Sequence, residues 1–358
     1  MKLRRTGWLR LVVVVAALGA AQCGDKESPA SPTPTPTPTP VSPNVNGDTL
    51  GSAGRAMGKH VGTAVQASLL NTPVYRDIVN REFTDLTAEY EMKWATIGRS
   101  RGSPNFAPGD AIVSHAMSQG MQVKAHALVW HSSVPEWAGA LPTEDFRTEV
   151  EAHIRATASH FRGRVRAWDV VNEAVDGGGL RNSVFLQKLG STYIAEAFRI
   201  AREADPNALL FYNDYGAEGL GTKSDAVYDL VRTLRAEGVP IDGVGLQMHI
   251  TVGGRPSDAD IAANMRRLAA LGVKVEITEM DVRISGLGGS TSSRLDAQRA
   301  AYQSVVGVCV REPACAGVTF WGFTDAHTWL APDEPLLFDR NYAPKPAYTG
   351  VLDALRGR

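Results

Sequence analysis

Cysteine is scarce, and metal-ligand spacings are missing. The 358 residues hold three cysteines, and neither a zinc-type spacing nor a His-x-x-x-His pattern accompanies them. The sequence therefore offers no metal site, and it implies no cofactor. An excess of charge of one sign is lacking as well. The formal net charge is -1, which excludes the basic footprint of a nucleic-acid binder and leaves no strong field to steer a charged partner. A neutral substrate fits that balance. The glycine-rich segments Asp176-Gly177-Gly178-Gly179 and Gly216-Ala217-Glu218-Gly219-Leu220-Gly221 lack the strand–turn–helix setting of a dinucleotide fingerprint. A doubly wound open sheet loses its main support with them. The apolar run from Leu11 to Ala21 is too short to span a bilayer comfortably.

What the N-terminus does carry is an export pattern. Lys2, Arg4 and Arg5 precede the apolar run, which ends in small residues. Residues 1–23 read as a signal peptide. Cys23 at its end raises lipid attachment, although Gln22 departs from the small residue that usually precedes a lipidated cysteine. Free secretion and envelope anchoring both stand open. Residues 24–47 are a Pro/Thr-rich linker that prefers extended polyproline II and cannot pack a core. It serves either as a spacer or as a disordered remnant. Residues 48–358 form the folded domain. In an exported protein, Cys309 and Cys315 read as a disulfide rather than a metal site, because no further Cys or His lies near them in sequence.

Within that domain, strand-like and helix-like stretches alternate. The candidate strands are His60–Val65, Thr84–Glu89, Gln122–Val129, Arg164–Asn172, Leu209–Asn213, Gly243–His249, Val273–Glu279 and Gly317–Gly322. Amphipathic stretches separate most of them: Asp110–Gly120, Thr143–Phe161, Ser191–Ala204, Lys223–Gly238, Ser257–Gly272 and Ser292–Arg311. Eight β/α alternations over roughly 300 residues predict a (β/α)₈ barrel, the TIM-barrel class, as a single domain.

Active sites in such barrels sit at the carboxyl ends of the strands, and here those ends are polar. Trp168-Asp169-Val170-Val171-Asn172-Glu173-Ala174 runs from a buried pattern into an Asn-Glu pair, and Val273–Glu279 also ends in Glu. An unpaired buried carboxylate costs several kcal/mol, on the order of the penalty for any stranded charge. Each Glu alone could be a structural partner of an arginine across the barrel mouth. Two carboxyls at the ends of two strands are what acid/base work on a glycosidic bond requires. Other strand ends add Glu89 and Lys93, His126 and Trp130, Asn213-Asp214-Tyr215, Gln247 and His249, and Trp321, with Trp329 in the following loop. Period-two alternation puts Gln247 and His249 on one face, and Glu279 and Asp281 repeat that spacing if strand geometry persists. Singly, each has a bland reading: a surface Glu/Lys pair, a core histidine, a packed tryptophan. Jointly, carboxylates, amides, His and Trp on one rim describe a carbohydrate site.

The chain resembles glycoside hydrolase family 10, the endo-β-1,4-xylanases, from about Leu50 to its C-terminus. The resemblance rests on Met92-Lys93-Trp94, the segment His126 to His131, Trp168 to Ala174, Tyr212-Asn213-Asp214-Tyr215, Ile241 to His249, Ile277 to Asp281 and Trp321 to Asp325, in the family's order. It implies Glu173 as general acid/base and Glu279 as nucleophile. Asn172 would bind the sugar 2-hydroxyl, and His249 would bond Glu279, with Asp281 holding His249. Glu89, Lys93, His126, Trp130, Gln247, Trp321 and Trp329 would line the glycone subsites, and Tyr215 would contact the aglycone side. The Cys309–Cys315 spacing is similar to a family disulfide. The sequence departs from the family at Tyr90, where Asn is common, and at Ser133, where Gln is common. The smaller Ser133 implies looser exclusion of a hexose hydroxymethyl. The expected substrate is xylan, cleaved with net retention by two carboxyls about 5–5.5 Å apart. The rivals are a β-1,4- or mixed-linkage glucanase on the same scaffold and a non-catalytic carbohydrate-binding barrel. Pure binding would require neither Glu173 nor Glu279.

Overall fold

The computed structural model describes residues 49–358. The signal peptide, the linker and Cys23 lie outside the described residues. Eight strands form the barrel: β1 His60–Val65, β2 Asp85–Ala88, β3 Gln122–Trp130, β4 Ala167–Asn172, β5 Leu209–Asp214, β6 Gly243–Leu246, β7 Lys274–Arg283 and β8 Cys315–Phe320. Each pairs in parallel with the next, and β8 returns to β1, which closes the ring. The expected (β/α)₈ architecture is the observed one. Closure removes sheet edges, and the strand residues that face the helices are apolar.

The helices Thr143–Phe161 and Thr291–Arg311 begin within a residue of their expected starts. Two helices that the amphipathic pattern does not mark also occur: Pro73–Glu82 and Pro346–Leu355, each with proline in its first turn. Proline there loses no intrahelical bond, since that N–H would be unsatisfied anyway. The disulfide between Cys309 and Cys315 ties the long C-terminal helix to the start of β8.

The barrel has two interiors. Outward-facing strand residues such as Trp168 pack against helices in a large apolar layer. The inside of the barrel floor is ionic. Lys124 Nζ lies 2.9 Å from Asp169 Oδ1 and 3.4 Å from Glu276 Oε2. Arg166 Nη1 lies 2.8 Å from Glu276 Oε1, and Arg166 also holds Asp85 and His60. Burial alone would raise the Glu276 carboxyl, but the Arg166 and Lys124 charges hold it well below the usual carboxylate range. Leaving any one of these charges unpaired would cost about 3–5 kcal/mol.

A register shift in β4 carries the chain from this floor to the rim. Asp169 pairs with Phe211 but Val171 pairs with Tyr212, so one residue is looped out. Asp169 and Asn172 are three apart, and strict alternation would place them on opposite faces. The bulge brings both to the barrel interior.

Candidate active site

At the carboxyl ends of the strands lies a cleft of about 430 Å³. Glu173 and Glu279 both face it, from β4 and β7. With them come Lys93, His126, Trp130, Asn172, Tyr215, Gln247, His249, Trp321 and Trp329, all expected from the sequence. Glu89 does not reach the wall. It is buried behind Tyr90, where it bonds the Tyr90 phenol and accepts from Gln66 Nε2 at 3.0 Å. Tyr90 itself lines the cleft. Ser133 turns away from it: the side chain is buried, and its hydroxyl accepts from the Ala95 N–H at 3.3 Å.

Glu279 sits in a basket of donors. His249 Nε2–H donates to its Oε2 at 3.1 Å, and Asn213 Nδ2 donates to its Oε1 at 2.7 Å. His126 Nδ1 lies 3.9 Å from Oε1 and is itself held by Asp169 Oδ2 at 3.0 Å. Burial by itself would raise the Glu279 carboxyl. The His126 charge, the His249 hydrogen bond and charge, and the Lys93 ammonium outweigh it and bring the pKa to about 2. Glu279 is therefore an anion throughout the working range. His249 is the complement. Burial would lower it, but Asp281, bonded to Nδ1 at 2.8 Å, and Glu279 raise it to about 10. Both ring nitrogens face carboxylates, so both carry protons.

Glu173 is held differently. Its Oε1 accepts from Asn172 Nδ2 at 3.2 Å and from Gln247 Nε2 at 3.1 Å, and its Oε2 accepts from Trp130 Nε1 at 2.8 Å. His131 Nδ1 stands 4.0 Å from Oε2. The backbone of Glu173 is left-handed, with φ of 59°. Such a conformation costs roughly 1–2 kcal/mol for a residue with a Cβ. Two bonds fix it: Glu173 N–H to Asn213 O at 2.8 Å, and Arg181 Nε to Glu173 O at 2.9 Å.

The two carboxyls belong to one network. Asn172 Oδ1 accepts from Asn213 Nδ2 at 2.9 Å and from Gln247 Nε2 at 3.1 Å, so amides that bond Glu279 and Glu173 meet on Asn172. The arrangement depends on Gly245 of the neighbouring strand. A Cβ there would collide with Asn213 Oδ1.

Gln247 and His249 share the cleft, though not along a continuous strand. β6 ends at Leu246, and Met248 between them has φ of 66°. The kink is pinned by the buried Glu218 carboxylate, which accepts from Met248 N–H at 3.1 Å and Gly216 N–H at 2.9 Å. β7, in contrast, does persist beyond Glu279, and Asp281 accepts from His249 and from Trp329 Nε1 at 3.0 Å.

Cations and rings complete the walls. Lys93 Nζ lies 5.0 Å from the Tyr90 ring centre, 4.6 Å from Trp130 and 5.7 Å from Trp321. Burial lowers its pKa, against the pull of Glu279, Glu89 and Glu173. Trp329 and Tyr215 present exposed faces. The Tyr215 hydroxyl accepts from Arg181 at 2.9 Å, and Lys223 Nζ sits 3.5 Å from its ring centre. Glu218, Arg181 and Arg283 are participants that the strand ends do not mark; Asn213 is marked there, but its bond to Glu279 is not. A paired anion and a second carboxyl under a separate set of donors, between aromatic walls, can attack an anomeric carbon and protonate a leaving oxygen.

Known proteins share this constellation's scaffold. Residues 49–354 match the family described as Glycosyl hydrolase family 10. The chain is 40% identical over 307 residues to endo-1,4-beta-xylanase B of Thermotoga neapolitana, covering 83% of this chain and 88% of that one. It is 39% identical over 309 residues to an endo-1,4-beta-xylanase of Agaricus bisporus, covering 84% and 92%. Among solved structures, xylanase 10B from Thermotoga petrophila RKU-1 in complex with xylobiose superposes with a TM-score of 0.83 at 39% identity, covering 86% of this chain and 97% of that one.

Proposed function

The chain belongs to glycosyl hydrolase family 10, and from that membership and the cleft's geometry we infer that it is a retaining endo-β-1,4-xylanase. It hydrolyses internal β-1,4-xylosidic bonds of xylan. The observation that carries the assignment of roles is the unequal treatment of the two carboxyls. Glu279 is held as an anion by His249, His126 and Lys93. Glu173 has its donors on amides and an indole, none of them charged.

Glu279 is the nucleophile. Its carboxylate attacks the anomeric carbon while Glu173 delivers a proton to the glycosidic oxygen, and the aglycone leaves. The product is a glycosyl ester on Glu279. Glu173, now ionised, takes a proton from water, and the water oxygen attacks the anomeric carbon from the face the aglycone left. Two inversions give net retention. Asn172 bonds Glu173 through Nδ2 and, through Asn213, is linked to Glu279, a position that suits a bond to the sugar 2-hydroxyl. Trp321 and Trp329 offer ring faces for the sugar, and xylobiose in the Thermotoga petrophila structure supports a xylose chain as the ligand. The Cys309–Cys315 disulfide supports an exported protein, since such bonds persist in oxidising compartments.

The test is hydrolysis of xylan with NMR of the first-formed anomer. The expected result is internal cleavage with a β-anomer appearing first. An α-anomer, or no reducing-sugar release, would overturn the assignment.

A further inference from the structure

β7 runs four residues past Glu279. Side chains alternate along a strand, so Glu279, Asp281 and Arg283 share one face. Glu279 and Asp281 have the partners described above. Arg283 also lines the cleft, as do both carboxyls. Yet its side chain makes no hydrogen bond or ion pair among the described residues, and its Nε is buried without an acceptor.

That isolation sets it apart from the other cations of the site. Lys93 is ringed by three aromatic side chains and faces the carboxyls. Arg181 holds the Glu173 carbonyl and the Tyr215 hydroxyl. Lys223 is paired with Asp214 at 2.8 Å. Each of these positions another group. Arg283 positions nothing. A guanidinium is a permanent cation with a planar fork of donors, and a buried donor left without an acceptor is costly. Sugar hydroxyls accept from such a fork as neutral partners; a carboxylate fills it with two parallel charge-assisted bonds, which are about twice as strong.

The anion must also avoid Glu173 and Glu279, so it cannot sit on the ring being cleaved. It belongs on a substituent. The protein's net charge of -1 provides no general attraction for an acidic polymer, so recognition has to be local. Resting on the xylanase reading above, we propose that Arg283 binds the carboxylate of a uronic-acid branch on a xylan main chain seated in the cleft. The enzyme thereby prefers acidic xylan over the same polymer with its charge removed.

The experiment compares kcat/KM on a uronic-acid-substituted xylo-oligosaccharide and on its carboxyl-reduced counterpart, in which the carboxylate is a primary alcohol. The ratio is read within each variant, so a change in overall activity does not affect it. The wild type is expected to favour the acidic substrate by about tenfold at low ionic strength, the scale of one charge-assisted bond. The preference should shrink at about 0.5 M salt. Arg283→Met should bring the ratio to about one, and Arg283→Lys should keep part of it, the point charge remaining without the fork. A wild-type ratio of one, or an undiminished ratio in Arg283→Met, would overturn the proposal while leaving the xylanase reading intact. Failure on linear xylohexaose would instead refute the xylanase reading and this one with it.

Discussion

Replacing Asp281 with Asn tests the electrostatic chain that keeps the nucleophile ionised. Asp281 makes no direct bond to Glu279. It accepts from His249 Nδ1 at 2.8 Å and from Trp329 Nε1 at 3.0 Å, and its charge is the leading reason that His249, despite burial, titrates near 10. Without that charge, the buried imidazole becomes neutral in the working range. Glu279 then loses a cationic neighbour and exchanges a charge-assisted bond for an ordinary one. The full displacement of Glu279, from 4.5 to about 2, is worth about 3 kcal/mol. His126 and Lys93 hold part of it, so His249's share moves the acid limb of kcat/KM upward by about one pH unit. At neutral pH Glu279 stays ionised, and the weaker stabilisation is felt when it leaves the glycosyl ester, which should slow that step by about tenfold. The assay is the pH–rate profile of Asp281→Asn on an aryl xylobioside, compared with wild type. An unmoved acid limb, with a loss equal at every pH, would mean that Asp281 acts only by placing Trp329, and the electrostatic reasoning would fail.

The carboxyls themselves are separable. Glu279→Ala should abolish turnover of every substrate, whereas Glu173→Ala should still be glycosylated by substrates with good leaving groups, with azide restoring turnover as a β-glycosyl azide detected by NMR. Stability should fall on both sides of a plateau in thermal scans. Glu279, depressed on folding, contributes fully above 4.5 and loses its contribution as pH falls toward about 2; His249, elevated on folding, contributes fully below 6.5 and loses its contribution as pH rises through about 10. Replacing Cys309 and Cys315 with Ala should cost about 2 kcal/mol, because the closed loop is short, and lower Tm by a few degrees; calorimetry measures it. The expected looser exclusion of a hexose at Ser133 does not hold, because that side chain is buried against the Ala95 N–H and Tyr90 lines the cleft; Ser133→Gln should leave the kcat/KM ratio of aryl xylobioside to aryl cellobioside unchanged, and a sharpened xylose preference would refute this.

The barrel was legible because strand-like and helix-like stretches alternate along the chain, and β1 spans the expected residues. Most of the cleft was legible for a related reason: strand ends are where a buried pattern yields to polar residues, as at Asn172-Glu173 and Gln247. What escaped depends on neighbours. Asn213 reaches Glu279 only because Gly245 on the adjacent strand has no side chain, a pairing that no single segment encodes. Glu218 acts through backbone amides of Met248 and Gly216, so only the kink it holds reveals it. Arg283 could have been found by carrying the alternation of Glu279 and Asp281 one step on. Glu89 has the place of a wall residue in the sequence, but its carboxyl is buried and bonded to the phenol of Tyr90, the residue that lines the cleft.

The paired charges beneath the cleft also bear on how this protein fails. Lys124, Asp169, Glu276 and Asp85 are buried inside the staves, and Arg166, partly open to solvent, locks onto two of them. Warming weakens water's hold on bare ions, so such a cage grows relatively more favourable as temperature climbs. Acid has the opposite effect, for neutralising one member strands the others. The cage that gains with heat is therefore expected to give way only in strong acid, once Glu276, held low by Arg166 and Lys124, takes up a proton.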